Sequence, residues 1–139
     1  MDLTRLNASL KAHEGFRGKP YLDTNGFTTI GYGRNLDANP LSPEEGEILL
    51  GNDLARASEQ AQRLVSNWAD LSEARQGVLI EMVFNLGYIG VYGFHKMLAA
   101  IEEGNFTEAV AEMLDSKWAT QVGHRALELA HQMTEGEWV

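Results

Sequence analysis

The sequence predicts an α+β fold, and three observations predict it. A glycine-punctuated stretch rich in Tyr, Phe, Thr and Ile lies near the N-terminus, with Asn25-Gly26 as a hairpin turn signal. A long proline-free segment follows it, and the remainder reads as short helices separated by Gly104, Gly123 and Gly136. Strands and helices are therefore segregated along the chain instead of alternating, which is the α+β pattern.

Taken in order, residues 2–13 carry Leu3, Leu6 and Leu10 at helical spacing, with Asp2 as cap and Gly15 where a left-handed terminal residue is wanted. Tyr21, Phe27, Thr28, Thr29, Ile30 and Tyr32 then favour extended chain, giving a small antiparallel sheet that ends near Leu36. Ser42-Pro43-Glu44-Glu45 reads as a capping box, opening a long helix over about 43–66 that links two lobes. Ser72 and Glu73 open the central helix of the second lobe, carrying Val78, Leu79, Met82, Val83 and Leu86. Shorter helices are expected from Phe94 to Glu102, from Asn105 or Phe106 to Leu114, and from Gly123 to Met133. The expected organisation is one domain over 1–139. Its sheet lobe covers about 14–41 and its helical lobe about 70–139, with the first helix packed on the helical lobe.

The chain has 139 residues, no cysteine and 44% hydrophobic residues, so disulfide staples are excluded and one self-sufficient core is expected. Charge is uneven: residues 1–41 carry five basic and four acidic groups, and 42–139 carry six basic and sixteen acidic, or +1 against -10. No helix has a basic stripe, which argues against nucleic acid as a ligand. The longest uncharged window, Met82 to Phe94, is too short and too glycine-rich for a membrane span, so no stable membrane insertion is expected. Asp2, Arg5, Lys11 and Glu14 interrupt any apolar run that could serve as a secretory signal.

Metal chemistry finds no support, because the four histidines are scattered and Asp23-Thr24-Asn25 fails as a calcium loop at Phe27, Thr28 and Arg34. Carboxylates remain. Glu14 ends the first helix, where the helix dipole disfavours negative charge, the setting of a general acid. Asp23 precedes the hairpin turn in a polar stretch suited to an ionised carboxylate. Thr29, just past the turn, can hold a water between itself and Asp23. Two carboxyl groups with separated proton affinities are the minimum for cleaving a glycosidic bond. On these residues alone, a helix-end Glu and a turn Asp usually read as surface groups, and spacing does not settle the matter.

The sequence nevertheless resembles a known family. His13-Glu14-Gly15-Phe16-Arg17, Tyr21-Leu22-Asp23-Thr24-Asn25-Gly26 and Thr28-Thr29-Ile30-Gly31-Tyr32-Gly33 resemble the catalytic segment of phage-type lysozymes, the endolysin muramidases. Met82-Val83-Phe84-Asn85-Leu86-Gly87, Gly93-Phe94, Ser116-Lys117-Trp118, Arg125-Ala126 and Gly136-Glu137-Trp138 continue the likeness in order. The resemblance implies a two-lobed fold with substrate in the cleft, and hydrolysis of the β-1,4 bond between N-acetylmuramic acid and N-acetylglucosamine with inversion. Glu14 would be the acid, with Asp23 and Thr29 holding the water. Phe84, Asn85 and Arg125 match substrate-binding positions, although Phe84 also reads as core and Arg125 as a surface ion pair. Trp118 and Trp138 read as packing residues, and Tyr21 and Tyr32 as sheet packing or sugar stacking.

The resemblance further implies a monomer needing no cofactor and no metal. It would be made in the host bacterial cytoplasm and would act on peptidoglycan glycan strands of the periplasmic wall after holin-mediated release. The alternatives are a catalytically inactive peptidoglycan-binding module, a virion-associated lysozyme and a lytic transglycosylase. Arg34 departs from the family pattern by replacing a histidine, with Asp70 as an expected partner. The acidic surface predicts weak attraction to an anionic wall.

Overall fold

The computed structural model describes all residues, Met1–Val139. They form two compact units, Met1–Ile48 and Leu49–Val139. The element types are those of an α+β protein: seven α-helices, a short 3-10 helix at Trp68–Asp70 and one three-stranded antiparallel sheet.

In the first unit, α1 runs Leu3–Glu14. Asp2 caps it by accepting a hydrogen bond from the Arg5 amide at 3.0 Å, which satisfies one of the donors every helix start leaves orphaned. Gly15 ends it at φ 69°, its N–H donating to the Lys11 carbonyl. Strands β1 (Arg17–Leu22), β2 (Thr28–Gly31) and β3 (Arg34–Asn35) lie in sequence order. Tyr21 faces Thr29 across the first pair, and Thr29 faces Asn35 across the second.

The Asn25-Gly26 signal marks the β1–β2 turn correctly, but the turn is not the two-residue kind. Gly26 alone has positive φ there, and its N–H closes a β-turn onto the Asp23 carbonyl. A three-residue connection results, the form in which glycine supplies the left-handed residue after a regular turn.

Helix α2 spans Pro43–Ala61. Its predicted capping box is present in both directions: the Glu45 amide donates to Ser42 Oγ at 3.1 Å, and the Ser42 amide to Glu45 Oε1 at 3.0 Å. The helix stops before the expected Ser66. At its end, bonds from Arg63 to Gln60 and from Leu64 to Ala61 tighten the chain, and Leu64 and Val65 turn into the core.

In the second unit, α3 (Glu73–Tyr92) is the central helix, with Val78, Leu79 and Met82 fully buried. Burial of side chains of this size contributes about 1.5–3 kcal/mol each. Gly87 interrupts α3 with φ 79° and ψ 163°, a break the helical periodicity conceals. Helices α4 (His95–Glu102), α5 (Phe106–Leu114), α6 (Lys117–Val122) and α7 (His124–Glu135) complete the unit. Of these only α6 was not foreseen.

Arg75 ties the start of α3 to the end of α7. Its guanidinium donates to the Met133 and Thr134 carbonyls at 2.8 and 2.9 Å and lies 3.5 Å from the Phe106 ring centre. Carbonyls that a helix end leaves orphaned are thereby satisfied by a charge of the favourable sign. Trp118 is 3% exposed, as a packing residue should be. Trp138 is 65% exposed overall, yet its ring edge rests on Gly77, where a Cβ would approach to 2.6 Å. No single helix is long and apolar enough to cross a membrane.

Candidate active site

Three of the predicted site residues, Glu14, Asp23 and Thr29, lie in the first unit, each placed by local structure. Glu14 is the last residue of α1. Its carboxyl rests on the β2–β3 turn: a Cβ built on Gly33 would come to 2.6 Å from Glu14 Oε2 and 3.2 Å from its carboxyl carbon. Gly33, at φ 76°, leaves the space that the acid occupies. Phe16 and Tyr32 pack beside this turn with ring centres 5.2 Å apart, and Lys11 lies 5.7 Å from the Tyr32 ring centre.

Asp23 and Thr29 converge on Phe27. Asp23 Oδ1 accepts hydrogen bonds from the amides of Asn25 and Phe27, both at 2.9 Å. Thr29 Oγ1 donates to the Phe27 carbonyl at 2.9 Å, which also accepts from the Asp23 amide at 2.9 Å. Thr29 is 4% exposed, one of only two buried polar residues in the chain. The donor capacity of its hydroxyl is spent on the backbone, so toward any water it acts as an acceptor. Asp23 keeps its second oxygen free of protein donors. An acceptor pair of this kind can take the two protons of one water and turn its lone pair outward.

Arg34 meets Glu45, with Nη1 to Oε2 at 2.5 Å, and this replaces the Asp70 pairing expected for it. The Arg34 guanidinium, joined by the Ser42 amide, holds the Glu45 carboxyl down at about 2. Glu45 thus serves the α2 cap with one oxygen and β3 with the other.

In the second unit, Phe84 is 45% exposed and borders two depressions on the surface. One, of about 250 Å³, includes Asp53, Arg56, Gln60 and Gly87. The other, of about 170 Å³, includes Leu50, Leu54, Ile80, Glu81 and Arg125. Asn85 Oδ1 accepts from Trp118 Nε1 at 2.9 Å, so its acceptor holds a buried indole. Arg125 Nη2 donates to Glu81 Oε2 at 3.1 Å. Sequence reasoning missed the roles of Gly33, which leaves room for the Glu14 carboxyl, and of Phe27, whose backbone groups anchor Asp23 and Thr29. Their only advance signal is the density of turn residues around them.

A family model described as phage lysozyme matches residues 11–133, a range that holds all six candidate residues. The chain is similar to the pre-baseplate central spike protein Gp5 of Enterobacteria phage T4, 30% identical over 145 residues, covering 84% of this chain and 25% of that protein. It is also similar to the probable T4-type lysozyme 2 of Dictyostelium discoideum, 30% identical over 153 residues, covering 89% of this chain and 90% of that protein. A third relative is the SAR-endolysin of Bacteriophage PS119, 28% identical over 104 residues, covering 72% of this chain and 60% of that protein. The chain therefore spans a quarter of the spike protein's length and most of the Dictyostelium protein's.

Proposed function

The chain belongs to the phage lysozyme family and is a glycoside hydrolase of lysozyme type, and on that premise we propose that it cleaves the β-1,4 bond between N-acetylmuramic acid and N-acetylglucosamine in peptidoglycan. The observation that carries this reading is the acceptor pair of Asp23 and Thr29 anchored on Phe27. Glu14 gives its proton to the glycosidic oxygen as the bond to the anomeric carbon breaks. The water held by Asp23 and Thr29 attacks that carbon, passing one proton to Asp23. Attack from the opposite face inverts the anomeric centre, and such a course needs carboxyl groups about 6.5–9.5 Å apart to leave room for the water. Phe84 offers a ring face to a sugar, and Arg125, beside it in the smaller depression, supplies a donor. Neither cofactor nor metal takes part in this chemistry.

The biological setting follows from the same reading. The protein is made in a host bacterium's cytoplasm, passes a holin lesion as a monomer, and degrades glycan strands of the periplasmic wall during host lysis. Mass spectrometry of the muropeptides it releases tests the chemistry. Hydrated reducing ends are expected; anhydro ends would assign a lytic transglycosylase, and intact murein would assign a binding module. A second setting is favoured by the similarity to a phage spike protein, namely a lysozyme carried in the virion. Detection of the chain in purified particles separates that role from lysis.

A further inference from the structure

Asp37 lies outside every role described so far. It follows β3 in an exposed turn and joins none of the ion pairs, yet its Oδ2 accepts a hydrogen bond from the Thr28 amide at 2.9 Å. That amide belongs to the same peptide unit as the Phe27 carbonyl, which receives the Thr29 hydroxyl and the Asp23 amide. We propose that Asp37 is a positioning residue for the hydrolytic water, acting through the Phe27–Thr28 peptide to fix the Thr29 hydroxyl; this rests on the glycosidase reading above.

Two physical effects carry the proposal. A carboxylate bound to one end of a peptide polarises it and strengthens the acceptor at the other end. The Thr29 proton is thereby kept on Phe27, and its lone pairs stay turned toward water. The second effect is orientation. Asn35, which faces Thr29 across the sheet, accepts from the Asp37 and Ala38 amides at 2.9 and 3.1 Å. Leu36 donates to the Thr28 carbonyl at 2.8 Å. The turn bearing Asp37 is thus built on the register of β2, and both backbone polar groups of Thr28 are held from it. Displacements near 1 Å in such positioning elements cost on the order of a hundredfold in rate.

The test compares kcat, KM and melting for wild type, Asp37→Ala and Asp37→Asn on solubilised murein strands. Asp37→Ala is expected to lose at least about tenfold in kcat with KM within about twofold, and Asp37→Asn, which keeps an acceptor but not the charge, to recover part of that loss. A kcat for folded Asp37→Ala within about twofold of wild type, or an Asn variant as impaired as Ala, overturns the proposal. The unaltered protein gives a second readout that does not depend on how the variants fold. Its Thr28 amide proton should be protected from hydrogen exchange by the Asp37 bond, and an amide that exchanges freely overturns the proposal. Wild-type turnover in the same assay tests the glycosidase reading separately, since murein left intact by wild type refutes that reading and not the Asp37 bond.

Discussion

Glu14 lies with its carboxyl directly against Gly33, so close that a single added methyl group would sit 2.6 Å from Oε2. The end of a glutamate side chain can move aside, but the position it leaves is the one proposed for proton transfer. Gly33→Ala also places a side chain at φ 76°, which costs about 1–2 kcal/mol. The variant is expected to melt a few degrees lower and to lose at least about tenfold in turnover, read from reducing-end release beside a thermal melt.

Thr29 separates chemistry from packing. Thr29→Ser keeps the hydroxyl that reaches Phe27 and should retain turnover within a fewfold. Thr29→Val keeps the shape, loses the acceptor, and leaves the Phe27 carbonyl with only the Asp23 amide. About 0.5–1.5 kcal/mol of stability and at least about tenfold in kcat should go with it, and equal activity in the two variants would remove Thr29 from the mechanism.

The Arg34–Glu45 pair predicts a pH dependence of stability. The Glu45 carboxyl is lowered from 4.5 to about 2, so the pair contributes fully above about 4.5 and its contribution fades as pH falls toward 2. Arg34→Ala should lower the melting temperature at neutral pH and flatten its fall across that acid window. Both side chains are about one-third exposed, so added salt should shrink the difference between the two proteins. Melting curves from pH 2 to 7 at two ionic strengths decide it.

Asn85 is bound to the buried Trp118 indole. Asn85→Ala strands that N–H, and a buried donor without a partner costs about 1–3 kcal/mol. Chemical denaturation should show this loss, together with a change in Trp118 fluorescence. A fall in affinity for murein strands without a fall in stability would instead assign Asn85 to substrate alone.

The capped helices were legible in the sequence because their signals are local. Asp2, Ser42, Ser72 and Asn105 all accept the amides their positions predict. Helix α6 was not legible, since six residues are too few for a periodic signal to accumulate, although Ser116 caps it as a sequence rule would allow. The break at Gly87 lies within an unbroken apolar pattern, and only its positive φ reveals it. In the site, the residue types of Glu14, Asp23 and Thr29 were readable from turn and helix-end positions and from family resemblance. Their linkage was not, because it runs through the Phe27 backbone, which has no side-chain signature. The partner of Arg34 is hidden for a related reason: Glu45 reads as the α2 capping residue, and nothing in the sequence says that its second oxygen is free.

Glu14→Gln tests the central claim most directly, because it removes the transferable proton while keeping the shape of the side chain against Gly33. Reducing-end release from purified murein by wild type and variant, each with its melting temperature, is the measurement. The account predicts steady release by wild type and a loss of at least about a hundredfold in a variant that melts like wild type. Release by the variant at a rate near that of wild type would contradict it.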